Sequence, residues 1–334
     1  MKASEEARFY DVEQDGSMTC SLCPHRCRIQ PGQRGLCRTR INQSGKLLAQ
    51  TYGRIASYGK DPIEKKPLYH YYPGSRIFSI GSYGCNFSCD FCQNFSISQE
   101  TPSLIDTSPH NLADIAANES NNLGVAYTYN EPTVWYEFMT DIAREVRSKG
   151  LKNVMVTNGY MNPEPLEQLL PLIDAMNIDL KSMSGAFYEK YCGGKLDPVL
   201  EFTRKAADSC HIEITTLLID GLNTDPEEMD RLAQFIASIR PTIPLHLSRF
   251  FPAYKRQEPP TNLASLDALK EIAGKHLKYV YIGNVPEYNR TTECPSCGKI
   301  VVDRSSEGVH TWLDKSGFCG HCGSITDIIT GERL

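Results

Sequence analysis

No stretch of the 334 residues approaches the roughly 20 consecutive apolar positions that a membrane-spanning helix needs. The opening Met1-Lys-Ala-Ser-Glu-Glu-Ala-Arg has no apolar core of the kind a secretory signal peptide carries. Positive charge is not in excess either. Thirty-five Lys and Arg face 40 Asp and Glu, giving a net charge of −5 with no long run of one sign. A nucleic-acid footprint usually shows as a basic stripe, so no nucleic-acid partner is expected. Internal repeats and low-complexity segments are also missing. The apolar fraction of 40% and charged fraction of 22% are those of an ordinary globular chain, long enough for one large domain with small appendages. A cytoplasmic, reducing location with no membrane association is the expectation.

What the chain does have is 13 cysteines, 11 of them in three groups. Disulfides are rare in a reducing compartment, so closely spaced cysteines there read as metal or redox sites. Cys192 and Cys210 stand alone and read as buried small side chains. The central group, Cys85-Asn-Phe-Ser-Cys89-Asp-Phe-Cys92, follows a short apolar strand. Four cysteines would complete the ligand set of an ordinary cluster or a structural zinc. Three leave one metal corner open.

Residues 1–75 form an N-terminal Cys-rich segment and linker. Cys20, Cys23, Cys27 and Cys37 sit among Pro and Gly, so a loop that wraps a metal is expected. Zinc and a second iron–sulfur cluster both suit four thiolates, with His25 as a spare ligand, and reduced thiols without metal are the plain alternative. Lys46–Gly53 reads as a strand and turn. Asp61–His70 reads as an extended linker, because two prolines rule out a stable helix.

Residues 76–290 alternate between strand-like runs and helical candidates. The strands are expected near 77–80, 124–128, 153–157, 176–180, 212–219, 245–247 and 279–282. The helices are expected near 111–119, 134–148, 165–171, 198–209, 226–239 and 263–276. Such alternation means βα units around a parallel sheet. The count exceeds a flavodoxin-like sheet and falls short of a closed eight-fold barrel, so the expected fold is α/β, a partial (β/α)6-type TIM-like barrel. Chemistry then belongs at the strand ends. Those ends carry Tyr127-Thr-Tyr-Asn130-Glu131-Pro132, Thr157-Asn158-Gly159-Tyr160, Asn177-Ile-Asp179-Leu-Lys181 and His246-Leu-Ser248-Arg249. Period-2 alternation puts Asn177, Asp179 and Lys181 on one face, toward one cavity. Each taken singly is an ordinary turn residue or surface pair. Their recurrence at successive strand ends, downstream of an incomplete metal site, is what points to a site.

Residues 291–334 read as a zinc-ribbon-like module. Cys294-Pro-Ser-Cys297-Gly and Cys319-Gly-His-Cys322-Gly are two knuckles that aim four sulfurs at one tetrahedral ion, zinc or a rubredoxin-like iron.

The C-x3-C-x2-C loop with Phe91 before its last cysteine resembles the signature of radical S-adenosylmethionine (radical SAM) enzymes. Within that superfamily it resembles the glycyl-radical-enzyme activases. Asp61–His70, Gly84–Asn94, Tyr127–Pro132 and the N-terminal Cys-Pro-His-x-Cys are together most similar to the radical SAM proteins of the AmmeMemoRadiSam system. The resemblance implies a [4Fe–4S] cluster on Cys85, Cys89 and Cys92, with S-adenosylmethionine chelated by the fourth iron. Reductive cleavage to a 5′-deoxyadenosyl radical would then lead to abstraction of substrate hydrogen. Asn130-Glu131 occupies the place of the family's Gly-Gly-Glu motif, which holds the methionine amino group. Both glycines are replaced, by Tyr129 and Asn130, so a different backbone geometry is expected. The resemblance places Asn158 near the cofactor, Asp179 on the ribose, Lys181 on the methionine carboxylate and His246 deeper in the cavity. Phe87, Phe91 and Phe95 would exclude solvent. It also implies a flavodoxin or ferredoxin as electron donor, and either a protein glycine as substrate or a small metabolite modified alongside Memo-like and AMMECR-like partners. A non-catalytic metal-bearing scaffold or nucleic-acid-binding module is the alternative from another class.

Overall fold

The computed structural model describes residues 5–285, 288, 291–305 and 308–331. Eight strands form its central sheet: β1 (Ser57–Pro62), β2 (Arg76–Gly81), β3 (Asn122–Tyr127), β4 (Lys152–Thr157), β5 (Ala175–Asp179), β6 (His211–Leu218), β7 (Leu245–Arg249) and β8 (Val280–Gly283). Each strand pairs with its neighbour in sequence, β2 to β8 all parallel and β1 antiparallel on β2. Among the described residues no ladder joins β8 back to β1, so the barrel is partial and open, as expected. Val125, Val154, Met176 and Ile214 are fully buried. Helices on one side and inward side chains on the other make the inner strands read as near-continuous apolar runs.

The intervening helices are α1 (Pro109–Asn118), α2 (Tyr136–Ser148), α3 (Pro163–Leu169), α4 (Leu196–Ala207), α5 (Pro226–Ile239) and α6 (Leu263–Ala273). Local chemistry sets several starts. Ser108 accepts from the Asn111 N–H ahead of α1, and Asp225 accepts from the Glu228 N–H ahead of α5, each with Pro in the first turn. Asn262 caps α6 in the same way.

Asp61 and Pro62, expected in a linker, instead end the strand at residues 57–62 that supplies the antiparallel edge of the sheet. The segment before them is not a detached appendage. Met18, Leu22, Ile29 and Leu47 share one hydrophobic core with the barrel. Arg40 and Glu137 form an ion pair at 1% and 2% side-chain exposure across the junction with α2. The first cysteine group is less irregular than expected, since Met18–Cys20 and Arg28–Ile29 pair as short strands. The C-terminal module has its own small core of Val301, Val302 and Ile328 with Cys294 and Cys319. Ile329 exchanges backbone hydrogen bonds with His70 and Tyr72, docking the module on the barrel. The expected boundary at residue 290 lies outside the described residues.

Candidate active site and cysteine centres

β2 delivers the chain into the cysteine loop, and the Asn130 side chain braces the turn. It accepts from the Ser82 N–H at 2.9 Å and donates to the Gly84 carbonyl at 3.0 Å. Gly84 has φ +81°, and a Cβ there would stand 2.6 Å from the Cys37 carbonyl, so only glycine fits. Asn86 donates to the Tyr160 carbonyl at 2.7 Å, and the Ser88 N–H donates to the Cys192 carbonyl at 2.9 Å. The loop is thus pinned on both sides by the core.

Cys85, Cys89 and Cys92 line one cavity of about 240 Å³ together with Asn130, Glu131, Asn158, Asp179 and Lys181. Five expected residues from three strand ends therefore meet the three sulfurs. Glu131 is 5% exposed. Its Oε1 accepts from the Thr133 N–H and hydroxyl and from the Thr157 hydroxyl, while Oε2 accepts from the Asn158 N–H at 2.8 Å. Oε1 is saturated, whereas Oε2 keeps a free lone pair. Burial raises the Glu131 pKa, and these donors act in the opposite direction. Asn158 donates to the Asn86 side-chain oxygen at 2.8 Å, with the Cys85 sulfur at 3.8 Å. Lys181 donates to Asp179 at 2.9 Å. Burial opposes the lysine charge, but Asp179 and the Cys89 and Cys192 sulfurs hold its pKa well above the ordinary value.

Three expectations change. Asn177 does not line the cavity, because its amide donates to the Pro67 carbonyl at 2.9 Å. Nor does His246, whose Nε2 lies 2.6 Å from Glu213 Oε2 and whose ring packs on Tyr69 and Tyr281. Glu213 is a buried hub that also accepts from the Tyr69 and His70 N–H groups. The backbone at Tyr129 is unusual for a residue with a side chain. Its φ of +69° is the left-handed conformation a glycine adopts. The Tyr129 hydroxyl donates to Asp61 at 2.8 Å and Lys66 sits over its ring at 4.7 Å, which holds the side chain in place. Of the three phenylalanines, Phe87 and Phe91 are buried and line the cavity, while Phe95 stacks on Tyr254 outside it.

Thr215 and Ser248 also line the cavity. The Thr215 hydroxyl is buried without a partner. It escaped notice in the sequence because it lies inside β6, His-Ile-Glu-Ile-Thr-Thr-Leu-Leu, and not in a turn motif at a strand end. Its signal is register, since Thr215 pairs with Asp179 on one side and His246 on the other.

The C-terminal quartet differs. Its four sulfurs all lie within 4.8 Å of one another, with Cys294–Cys322 at 3.8 Å and Cys297–Cys319 at 3.9 Å. Zn–S bonds of about 2.3 Å in a tetrahedron require edges of about 3.8 Å, so one ion fits. Gly298 and Gly323, at φ +71° and +73°, close the two knuckles alike. Hydrogen bonds from Ser324 pull the Cys322 thiol down to about 6, toward the thiolate a metal binds.

Residues 79–236 match the Radical SAM superfamily. An uncharacterized protein of Methanocaldococcus jannaschii is 42% identical over 335 residues, covering 97% of this chain and 99% of that protein. A putative glycyl-radical enzyme activating enzyme of the same organism is 25% identical over 211 residues, covering 61% of this chain and 77% of the relative. Streptococcus suis SuiB bound to S-adenosylmethionine shares the fold, with a TM-score of 0.51 and 14% identity over 62% of this chain and 52% of that one. The chain belongs to the radical SAM superfamily, whose enzymes use a [4Fe–4S] cluster and S-adenosylmethionine. The cavity fits that pair. Three wide-set thiols leave one side open, and a free carboxylate lone pair, an orphaned hydroxyl and an Asp–Lys pair line the walls.

Proposed function

We propose that the chain cleaves S-adenosylmethionine reductively and directs hydrogen abstraction from a protein-borne substrate, as an activating enzyme does. Cys85, Cys89 and Cys92 would hold the cluster, which would supply the one electron for reductive cleavage of the sulfonium carbon–sulfur bond. The carrying observation is the meeting of three cysteines with Glu131, Asn158, Asp179 and Lys181 around one cavity. Glu131 Oε2 offers its remaining lone pair to the methionine ammonium. The Lys181 ammonium attracts the carboxylate, and Asp179 accepts from the ribose hydroxyls. Thr215 offers a further hydroxyl to the nucleoside. Phe87 and Phe91 keep water from the reacting carbon, and fixed placement of the substrate hydrogen supplies rate and selectivity.

A protein substrate is supported by the relatives' names and by a second hollow of about 690 Å³ that borders the first at Gln93. Lys65, Tyr69, Phe251, Asn284 and Arg304 line it, giving an extended chain room to approach. A reduced flavodoxin or ferredoxin would supply the electron. The motif resemblance supports Memo-like and AMMECR-like proteins as the partners. The zinc-ribbon-like module would hold zinc in a closed site and take no part in the reaction. Anaerobic reconstitution followed by dithionite and S-adenosylmethionine tests the reading. It expects 5′-deoxyadenosine, and a fully loaded cluster that yields none would overturn it.

A further inference from the structure

We infer that Arg304 and Lys65 form a docking site for an acidic segment of the protein substrate, so that the C-terminal module supplies part of the substrate-binding surface. The inference rests on the proposed reading of a protein-borne substrate and adds the chemistry that would recognise it. The strand Ile300–Ser305 of the module carries Arg304 to the wall of the hollow of about 690 Å³. This hollow adjoins the reaction cavity at two points. Gln93, next to Cys92, lines both. The Asn284 amide, in the wall of the hollow, donates at 2.9 Å to the Ser248 hydroxyl, and Ser248 lines the cavity. A chain bound across the hollow therefore reaches the open side of the cysteine loop.

Charge decides what the hollow takes. Among the described residues its charged lining is Lys65 and Arg304, both cations, set beside Tyr69, Phe251 and Tyr288. Arg304 has no carboxylate partner among the described residues. Its Nη1 donates to the Thr292 hydroxyl at 3.0 Å and its Nη2 to the Tyr69 carbonyl at 2.7 Å, while Nε is buried without a partner. Each terminal nitrogen keeps a second N–H. The guanidinium sits over the Tyr69 ring, 4.3 Å from its centroid, which fixes its plane. A guanidinium held in this way, with N–H groups to spare, suits a carboxylate.

The carboxylates nearby are engaged elsewhere. Asp61 lies 2.8 Å from Lys66 and 3.6 Å from Lys65, so one carboxylate faces two ammonium groups. Glu64 accepts from the Gly74 N–H at 2.7 Å. Glu213 is buried and accepts from the Tyr69 and His70 N–H groups. The Lys65 side chain is 70% exposed and can swing to a ligand, whereas Arg304 is held in place. The four cysteines of the module stay outside the reaction, while a strand of the same module holds the substrate.

The test uses the full, anaerobically reconstituted chain and two labelled peptides, one with glutamate on both sides of a glycine and one with glutamine there. Fluorescence anisotropy without S-adenosylmethionine should show the acidic peptide binding roughly 10–100-fold tighter, the worth of a hydrogen bond to a charged group. The preference should shrink as salt rises. Arg304→Gln should lose most of it, Arg304→Lys should keep part of it, and Lys65→Gln should lose less than Arg304→Gln. A purely structural role for Arg304 would weaken both peptides alike. Equal binding of the two peptides, binding of neither, or an undiminished preference in Arg304→Gln overturns the proposal. If Arg304→Gln does not fold, Lys65→Gln at its exposed position decides, and an undiminished preference there overturns it. None of these readouts depends on S-adenosylmethionine cleavage. Failure here leaves that activity standing, and a chain that makes no 5′-deoxyadenosine can still select the acidic peptide.

Discussion

Cysteine pairs spaced C-x2-C occur at the end of β2 and in the C-terminal module, and their surroundings make them different objects. In the module, two knuckles bring four sulfurs within 4.8 Å, and the hydrophobic residues behind them are few. Such a site is closed, and the metal would hold the fold. At the end of β2, Cys85, Cys89 and Cys92 are held apart by a loop pinned to Asn130, Tyr160 and Cys192. Their fourth side is a cavity walled by charged and polar groups from neighbouring strands. Ligand count and spacing separate a staple from a reaction site. The strand ends decide what the open side admits.

The comparison breaks most sharply with Cys89→Ala. That change should abolish 5′-deoxyadenosine formation while zinc content stays unchanged, as metal analysis and product chromatography would show. Cys319→Ala should do the reverse, losing the ribbon metal and keeping the iron. Structural zinc contributes about 10–16 kcal/mol of apparent binding free energy in small zinc domains, so limited proteolysis should then cut within residues 291–334. Arg40→Met removes the cation from a buried pair and strands Glu137, a loss of about 3–5 kcal/mol readable by chemical denaturation. Lys181→Met should weaken S-adenosylmethionine binding roughly 10–100-fold, the worth of a hydrogen bond to a charged group, with the cluster still loaded.

A further effect, spread over pH, lies at the seam where the module docks. Burial pushes the His70 pKa down to about 3. The unfolded chain takes up that proton near pH 6.5 and the folded chain does not, so acid favours unfolding. Stability should fall by up to about 1.4 kcal/mol per pH unit from about 6.5 toward 3. Denaturation curves of His70→Phe should be flatter over that range by about one proton. Equal slopes would remove His70 from the account.

Much of this was legible in the chain itself. The parallel strands fall within about two residues of the apolar runs, because strands buried on both faces must be apolar throughout. α5 begins and ends where Pro226 and Ile239 mark it. β1 was not legible, since Ser-Tyr-Gly-Lys-Asp-Pro has neither alternation nor an apolar face, and its place is set by pairing with β2. The polar strand ends were readable as a set, yet Glu213 and Thr215 lie within a strand rather than at its end and show themselves only through register. His246 was visible as a polar residue in a strand, but its partner Glu213 was not, so its place as a buried hydrogen-bonded ring could not be read. Tyr129 takes a glycine's place in the motif resemblance, and the contacts that hold it come from Asp61 and Lys66, more than 60 residues earlier, and from Asn94, which donates to its carbonyl.

The most direct test of an open metal corner in the central loop is electron paramagnetic resonance of the dithionite-reduced chain, recorded with and without S-adenosylmethionine. Binding at the open iron should change the spectrum of the Cys85–Cys89–Cys92 cluster, and Lys181→Met should shift the change to higher S-adenosylmethionine concentration. A reduced, fully loaded cluster whose spectrum is indifferent to saturating S-adenosylmethionine would contradict the account.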